Sequence, residues 1–181
     1  PVKEKVEVTI RAFKVVKTFD LSQTDGKELP TIGPSELVGN IEGYPKLLQA
    51  LQEISPVPVS FELIDGDAKG FYHLEDKKIV VQDGMSEVQT IKTLLHEMAH
   101  QKLHDKDNVP EAKDISRNGK EVEAESVAYV VCQHYGINTS DYSFSYVAGW
   151  SEGKETPELK ASLDKIRQTA SEFIYQIDQK M

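Results

Sequence analysis

Two histidines four residues apart, with a glutamate after the first, are the residues of this chain best placed to do chemistry: His96-Glu97-Met98-Ala99-His100. On a helix of about 3.6 residues per turn both imidazoles stand on one face, one turn apart, so a nitrogen of each can reach a single metal ion at about 2.0–2.1 Å. Glu97 lies about 100° around the helix. It is kept off the metal but can reach a water that the metal activates, where the general base of a zinc peptidase belongs.

A catalytic zinc site takes three protein ligands and a water. His104 repeats the spacing, but the helix rises about 6 Å between His100 and His104, too far for all three side chains to hold one ion. A helix-end or loop-facing role is expected of it. The longer spacing H-E-x-x-H-x-x-G-x-x-H is absent, since Leu103 stands where the glycine would be. The third ligand is expected from Glu121-Val122-Glu123-Ala124-Glu125. Glu121 and Glu125 share a face at i, i+4 with Ala124 and Ala128, which are small enough for this helix to approach the first closely. Glu121 is assigned as third ligand, and Glu125 as the carboxylate that accepts a hydrogen bond from a ligand histidine and fixes its tautomer. Glu123 points roughly the other way and is expected to be dispensable. The competing reading is a solvated acidic helix start favoured by the helix dipole.

The elements that must position these groups are legible around them. Ser86-Glu87-Val88-Gln89 reads as a capping box, and Val88, Ile91, Leu94, Leu95 and Met98 recur at helical spacing as a buried stripe. A second helix is expected over Lys120–Tyr135, with Val122, Val127, Val130 and Val131 apolar and Gly136 as its stop. Before the motif, Pro45–Ile54 fits a short helix, and Val57–Ile64, Gly70–His73 and Lys78–Gln82 read as strands of a small, mostly antiparallel sheet. Lys78–Gln82 is the candidate edge on which an extended peptide could lie, against the plainer reading of an ordinary sheet strand. Asp105–Lys120 reads as a polar loop bordering the site. A long amphipathic helix from Thr156 uses Leu159, Leu163, Ile166, Ala170, Phe173, Ile174 and Ile177. Alternation through Val6, Val8 and Ile10 signals a first strand, and Asp20–Pro34 a linker. The expected division is therefore 1–34, a strand and linker or the tail of an upstream domain, and 35–181, the domain that carries the site.

Composition sets the outer limits. With 181 residues, 39% of them hydrophobic, the chain can bury one core. Its net charge of −9, with no basic block, disfavours direct binding to nucleic acid. A single cysteine, Cys132, excludes an internal disulfide, and no run of about 18 apolar residues exists. A cytoplasmic location away from membranes is expected. Two decoys are set aside. Gly149-Trp150-Ser151-Glu152-Gly153 fits the serine-hydrolase elbow G-x-S-x-G, but no histidine follows the serine, as that fold requires. Cys132 near His134 lies in an apolar helix, where a packed cysteine is the commoner case. The donor to an oxyanion is expected to be Tyr142, Tyr146 or His134.

Leu94-Leu95-His96-Glu97-Met98-Ala99-His100, Leu103-His104 and Glu121-x-x-Ala124-x-x-x-Ala128 together resemble the ImmA/IrrE type of metallo-endopeptidase. They resemble still more the zincin domain that follows the single-stranded-DNA-binding part of ArdC-type antirestriction proteins. The likeness extends through Gly70-Phe71-Tyr72-His73, Ile79-Val80-Val81, Met85-Ser86-Glu87 and Tyr142–Trp150, so it covers roughly residues 60 to 155. It implies an α+β, gluzincin-like fold, zinc at His96, His100 and Glu121, and Glu97 as catalyst. It further implies a protein or peptide substrate and a bacterial mobile element as source. A missing upstream domain would be the part that binds single-stranded DNA. A rival of another class is a zinc-stabilised binding or regulatory module that does not cut.

Overall fold

The motif helix owes its place to being buried on nearly every side. In the computed structural model, which describes residues 36–113, 115–140, 143 and 156–181, it runs Glu87–His104 (α2). Ahead of it come α1 (Tyr44–Ile54), β1 (Val59–Glu62), β2 (Gly70–His73) and β3 (Lys78–Gln82). After it come a short 3-10 turn (Pro110–Lys113), α3 (Arg117–His134) and α4 (Thr156–Asp178). The architecture is α+β. The first strand and linker expected over 1–34 lie outside the described residues.

The Ser86 hydroxyl caps α2 by accepting from the Gln89 amide, and Lys102 and His104 in the last turn oppose the helix dipole. Only half of the expected capping box forms. The Gln89 side chain is buried and instead accepts from the Leu37 amide at 3.0 Å and donates to the Thr93 hydroxyl at 3.1 Å. Ile91, Leu94, Leu95 and Met98 are fully buried, and the polar faces carrying Thr90, Lys92, Thr93 and Gln101 are covered too. At about 1.5–3 kcal/mol for each buried large apolar side chain, this stripe outweighs the weak local preferences of the helix.

The sheet is mixed, not mostly antiparallel. Its order is β1-β3-β2, with β1 and β3 parallel and β2 and β3 antiparallel. The chain passes from β1 to the far position, turns at Lys77 with φ 49°, and returns as β3 into the centre. Lys78–Gln82 is therefore the central strand, and the expectation that it forms an edge is overturned. Ile79, Val80 and Val81 are all buried, since α2 covers one face and β1 and β2 flank both sides; an unbroken apolar triplet suits such a strand. Among the described residues the sheet's edges are β1 and β2, and of the two β2 borders the cleft beside the motif.

α3 packs along α2 and α4 packs on α3. α3 begins at Arg117, three residues before the expected start, because Ser116 caps it through the Gly119 amide. Gly136 ends it at φ 72°. Val130 is 40% exposed and Leu163 is 57% exposed, so neither joins the core as expected. For Leu163 the reason is local: Ser162 meets Glu123 of α3, which turns the next side chain about 100° away into solvent. Among the described residues no helix is long and apolar enough to cross a membrane.

One contact ties the sheet to the motif. A Cβ on Gly70 would lie 2.7 Å from Thr93 Cγ2, 3.0 Å from the Val80 carbonyl oxygen and 3.3 Å from Glu97 Cγ. Gly70→Ala is expected to cost about 1–3 kcal/mol in denaturant unfolding, because β2 must back away from α2. Unchanged stability would show that β2 does not lie this close.

Candidate metal centre

α2 and α3 run antiparallel, which brings the two expected groups of ligands together. His96 Nε2 and His100 Nε2 lie 3.0 Å apart, and Glu121 Oε2 is 3.5 Å from the first and 3.6 Å from the second. Four ligands at about 2.0–2.1 Å in a tetrahedron stand about 3.3 Å from one another. These three donors therefore match three corners of one such site, and His96, His100 and Glu121 could hold a metal.

Tautomers follow from the outer partners. Glu125 is completely buried, and its Oε2 lies 3.1 Å from His96 Nδ1. A carboxylate only accepts, so His96 Nδ1 carries the proton and Nε2 presents a lone pair. His100 Nδ1 is 3.0 Å from His104 Nδ1, and His104 Nε2 is 3.0 Å from Glu123 Oε2. By the same reasoning His104 donates to Glu123 and accepts from His100, which leaves His100 Nε2 with its lone pair free. Two nitrogen lone pairs and a carboxylate then converge on one point. That arrangement demands a cation, whether a shared proton or a metal ion.

The electrostatics agree. Burial alone would depress His96, but the carboxylates of Glu121 and Glu125 outweigh it and raise its pKa to about 9. Glu121 is held well below the usual carboxylate range by His100 and His96. Burial works against the charge on Glu125, but His96 and Lys92 hold it at about 2. Lys92 is itself buried, its Nζ 2.6 Å from Glu125 Oε2. The Ser143 hydroxyl donates to the other Glu125 oxygen at 2.7 Å. Glu97 is buried at the edge of the cluster, and burial raises its pKa, opposed by His96 and His100. All of these groups except Glu125 and Ser143 border one cleft of about 610 Å³, which is also lined by Gly70, Phe71 and Tyr72 of β2.

Three expectations need correcting. Glu123 is not a free surface group: only 2% exposed, it receives His104 and the Ser162 hydroxyl, the latter at 2.8 Å. His104 does end α2, but it is buried and faces the cluster, not a loop. A packed face of α3 is wide enough to present Glu121 and Glu125 to one part of α2 and Glu123 to its last turn. His134, offered as an oxyanion donor, is exposed at the far end of α3, about 13 Å along the helix from Glu125, and does not border the cleft. Tyr142, Tyr146 and the 149–153 stretch lie outside the described residues. Cys132 is packed in the core, and burial pushes its thiol up to about 12, as suits a structural cysteine. The sequence reading missed Lys92 altogether. Its signal was a lone cation one turn before His96 on an otherwise covered helix.

An uncharacterized protein of Bacillus anthracis is 33% identical to the chain over 196 residues, covering 98% of the chain. The chain spans about a third of that relative, 33% of its length. No family model and no solved structure matches.

The two outer carboxylates give a direct test. Glu125→Ala removes the charge that faces Lys92 and His96 and is expected to cost about 3–5 kcal/mol in unfolding. Glu123→Ala, once expected to be silent, should also destabilise, by about 1–3 kcal/mol, because it strips the acceptor from buried His104. Wild-type melting of Glu123→Ala would mean that the His104 contact carries no energy.

Proposed function

We propose that this protein is a zinc-dependent endopeptidase of the zincin type, related to the ImmA/IrrE metallo-endopeptidases and to the zincin domain of ArdC-type antirestriction proteins. The observation that carries the reading is the meeting of three donors at tetrahedral spacing, with Glu97 buried beside them on the cleft wall. Two imidazoles and one carboxylate suit zinc, and a bound zinc ion would polarise a substrate carbonyl and acidify water. His96, His100 and Glu121 would hold it. Glu125 and the His104–Glu123 pair keep both imidazoles in the tautomer that ligation needs.

Glu97 is the group left to move protons. Burial raises its pKa above the usual carboxylate value, opposed by His96 and His100, which makes it a better base than an ordinary carboxylate to take a proton from the attacking water and return it to the leaving amine. A peptide can lie along the open edge of β2, which borders the cleft, with backbone pairing to hold it extended. The noncatalytic alternative is less well supported. A structural zinc is usually closed by four protein ligands, whereas three donors face an open cleft here and a base stands beside them.

Metal analysis joined to a peptidase assay tests this. About one zinc per chain is expected in wild type and in Glu97→Gln, with cleavage only in wild type, and no zinc in His96→Ala or Glu121→Ala. Glu125→Ala should bind zinc about 10–100-fold more weakly. Full occupancy in His96→Ala would refute the site, and cleavage by Glu97→Gln would refute the mechanism.

A further inference from the structure

The charges around the cleft point to what it takes in. The chain as a whole is acidic, with Lys+Arg 21 against Asp+Glu 30. The cleft wall inverts that balance: Lys69, Lys92, Lys106, Arg117 and Lys120 line it against Asp67, Glu97 and Glu121. Two of the cations have clear partners, Lys92 in Glu125 at 2.6 Å and Lys69 in Glu36 at 3.6 Å. Among the described residues no carboxylate forms an ion pair with Lys106, Arg117 or Lys120.

Nor, among the described residues, do the nearest acids offset them. Asp105 and Asp107, on either side of Lys106, are both held by Lys77, at 3.0 and 2.6 Å. Glu121 faces the two ligand histidines, and Glu123 takes His104 and Ser162. Lys106 and Arg117 are exposed and Lys120 is half-buried, so their charges are available to a bound molecule.

They also share one end of the cleft. Lys92 meets Glu125 and His100 meets Glu121, so the first turn of α3 lies beside the last turn of α2, where Lys106 follows. β2 runs the same way, with Gly70 against Thr93 and Glu97, and Tyr72 donating to Asp105 at 2.7 Å. A chain lying along β2 with its reacting carbonyl near Glu97 therefore meets these cations on one side only.

We propose that the cleft binds an acidic peptide segment, whose Asp or Glu side chains on one side of the scissile bond are held by Lys106, Arg117 and Lys120. The position of the scissile bond rests on the peptidase reading; the charge preference does not. Exposed ion pairs are individually weak, so the preference comes from three acting together on a partly enclosed surface.

The zinc-loaded Glu97→Gln protein allows binding to be read without cleavage. Fluorescence anisotropy would compare a labelled Glu-rich peptide with its Gln counterpart and with a labelled oligothymidylate. The Glu peptide is expected to bind at least about tenfold more tightly than the Gln peptide at low salt. That margin should disappear in the triple variant K106Q/R117Q/K120Q and shrink as salt is raised. In wild type, cleavage sites in a mixed peptide library should be enriched in acidic residues on one side only. Equal affinity for the Glu and Gln peptides, a preference that survives the triple variant, or tighter binding of the oligonucleotide would each overturn the proposal. A lost margin in the triple variant with no cleavage by wild type would sustain the binding inference and refute the peptidase reading.

Discussion

The ion pair between Lys92 and Glu125 is the constraint on which the centre depends. Both groups are buried, and a single buried charge costs far more than a pair, so neither side chain can swing away without stranding the other. The pair fixes the distance between α2 and α3 at the level of the motif. It also keeps Glu125 ionised and aimed at His96, which settles that ring's tautomer and frees its inner nitrogen. The geometry of the donor cluster is thus inherited from a contact that touches no ligand atom.

The two imidazoles are supported unequally. His96 leans on a carboxylate directly, whereas His100 leans on a neutral imidazole that in turn leans on a carboxylate. A direct charged acceptor makes a ring more electron-rich than a relayed one does. The two nitrogens that look equivalent in the H-E-x-x-H pattern are therefore electronically different, His96 being the stronger donor.

Much of the centre was legible because it is periodic. His96, His100 and the stripe from Val88 to Met98 repeat at helical spacing, and Glu121 and Glu125 share a face with alanines, so local rules place all of them. What could not be read depends on contacts between distant elements. Glu123 seemed to point at solvent because periodicity says nothing of how wide a face the neighbouring helix covers. His104 was too far along the helix to be a third ligand, yet at the right distance to support one. The position of β3 was legible in principle, since three successive apolar residues suit a strand covered on both faces, but the strand order that puts it in the centre is set by pairing with β1 and β2, which no local pattern specifies. The half-formed capping box failed for a similar reason: Gln89 is drawn to the Leu37 amide, a partner 52 residues away.

The chain of contacts from His100 through His104 and Glu123 reaches Ser162 on α4. During synthesis that serine is added after every other described member of the centre. At about 5–20 residues per second, the 58 residues between His104 and Ser162 take about 3–12 s to add. For the last 41 of these residues, about 2–8 s, a nascent chain can hold both histidines and Glu121 while the brace behind His100 is still open at its far end.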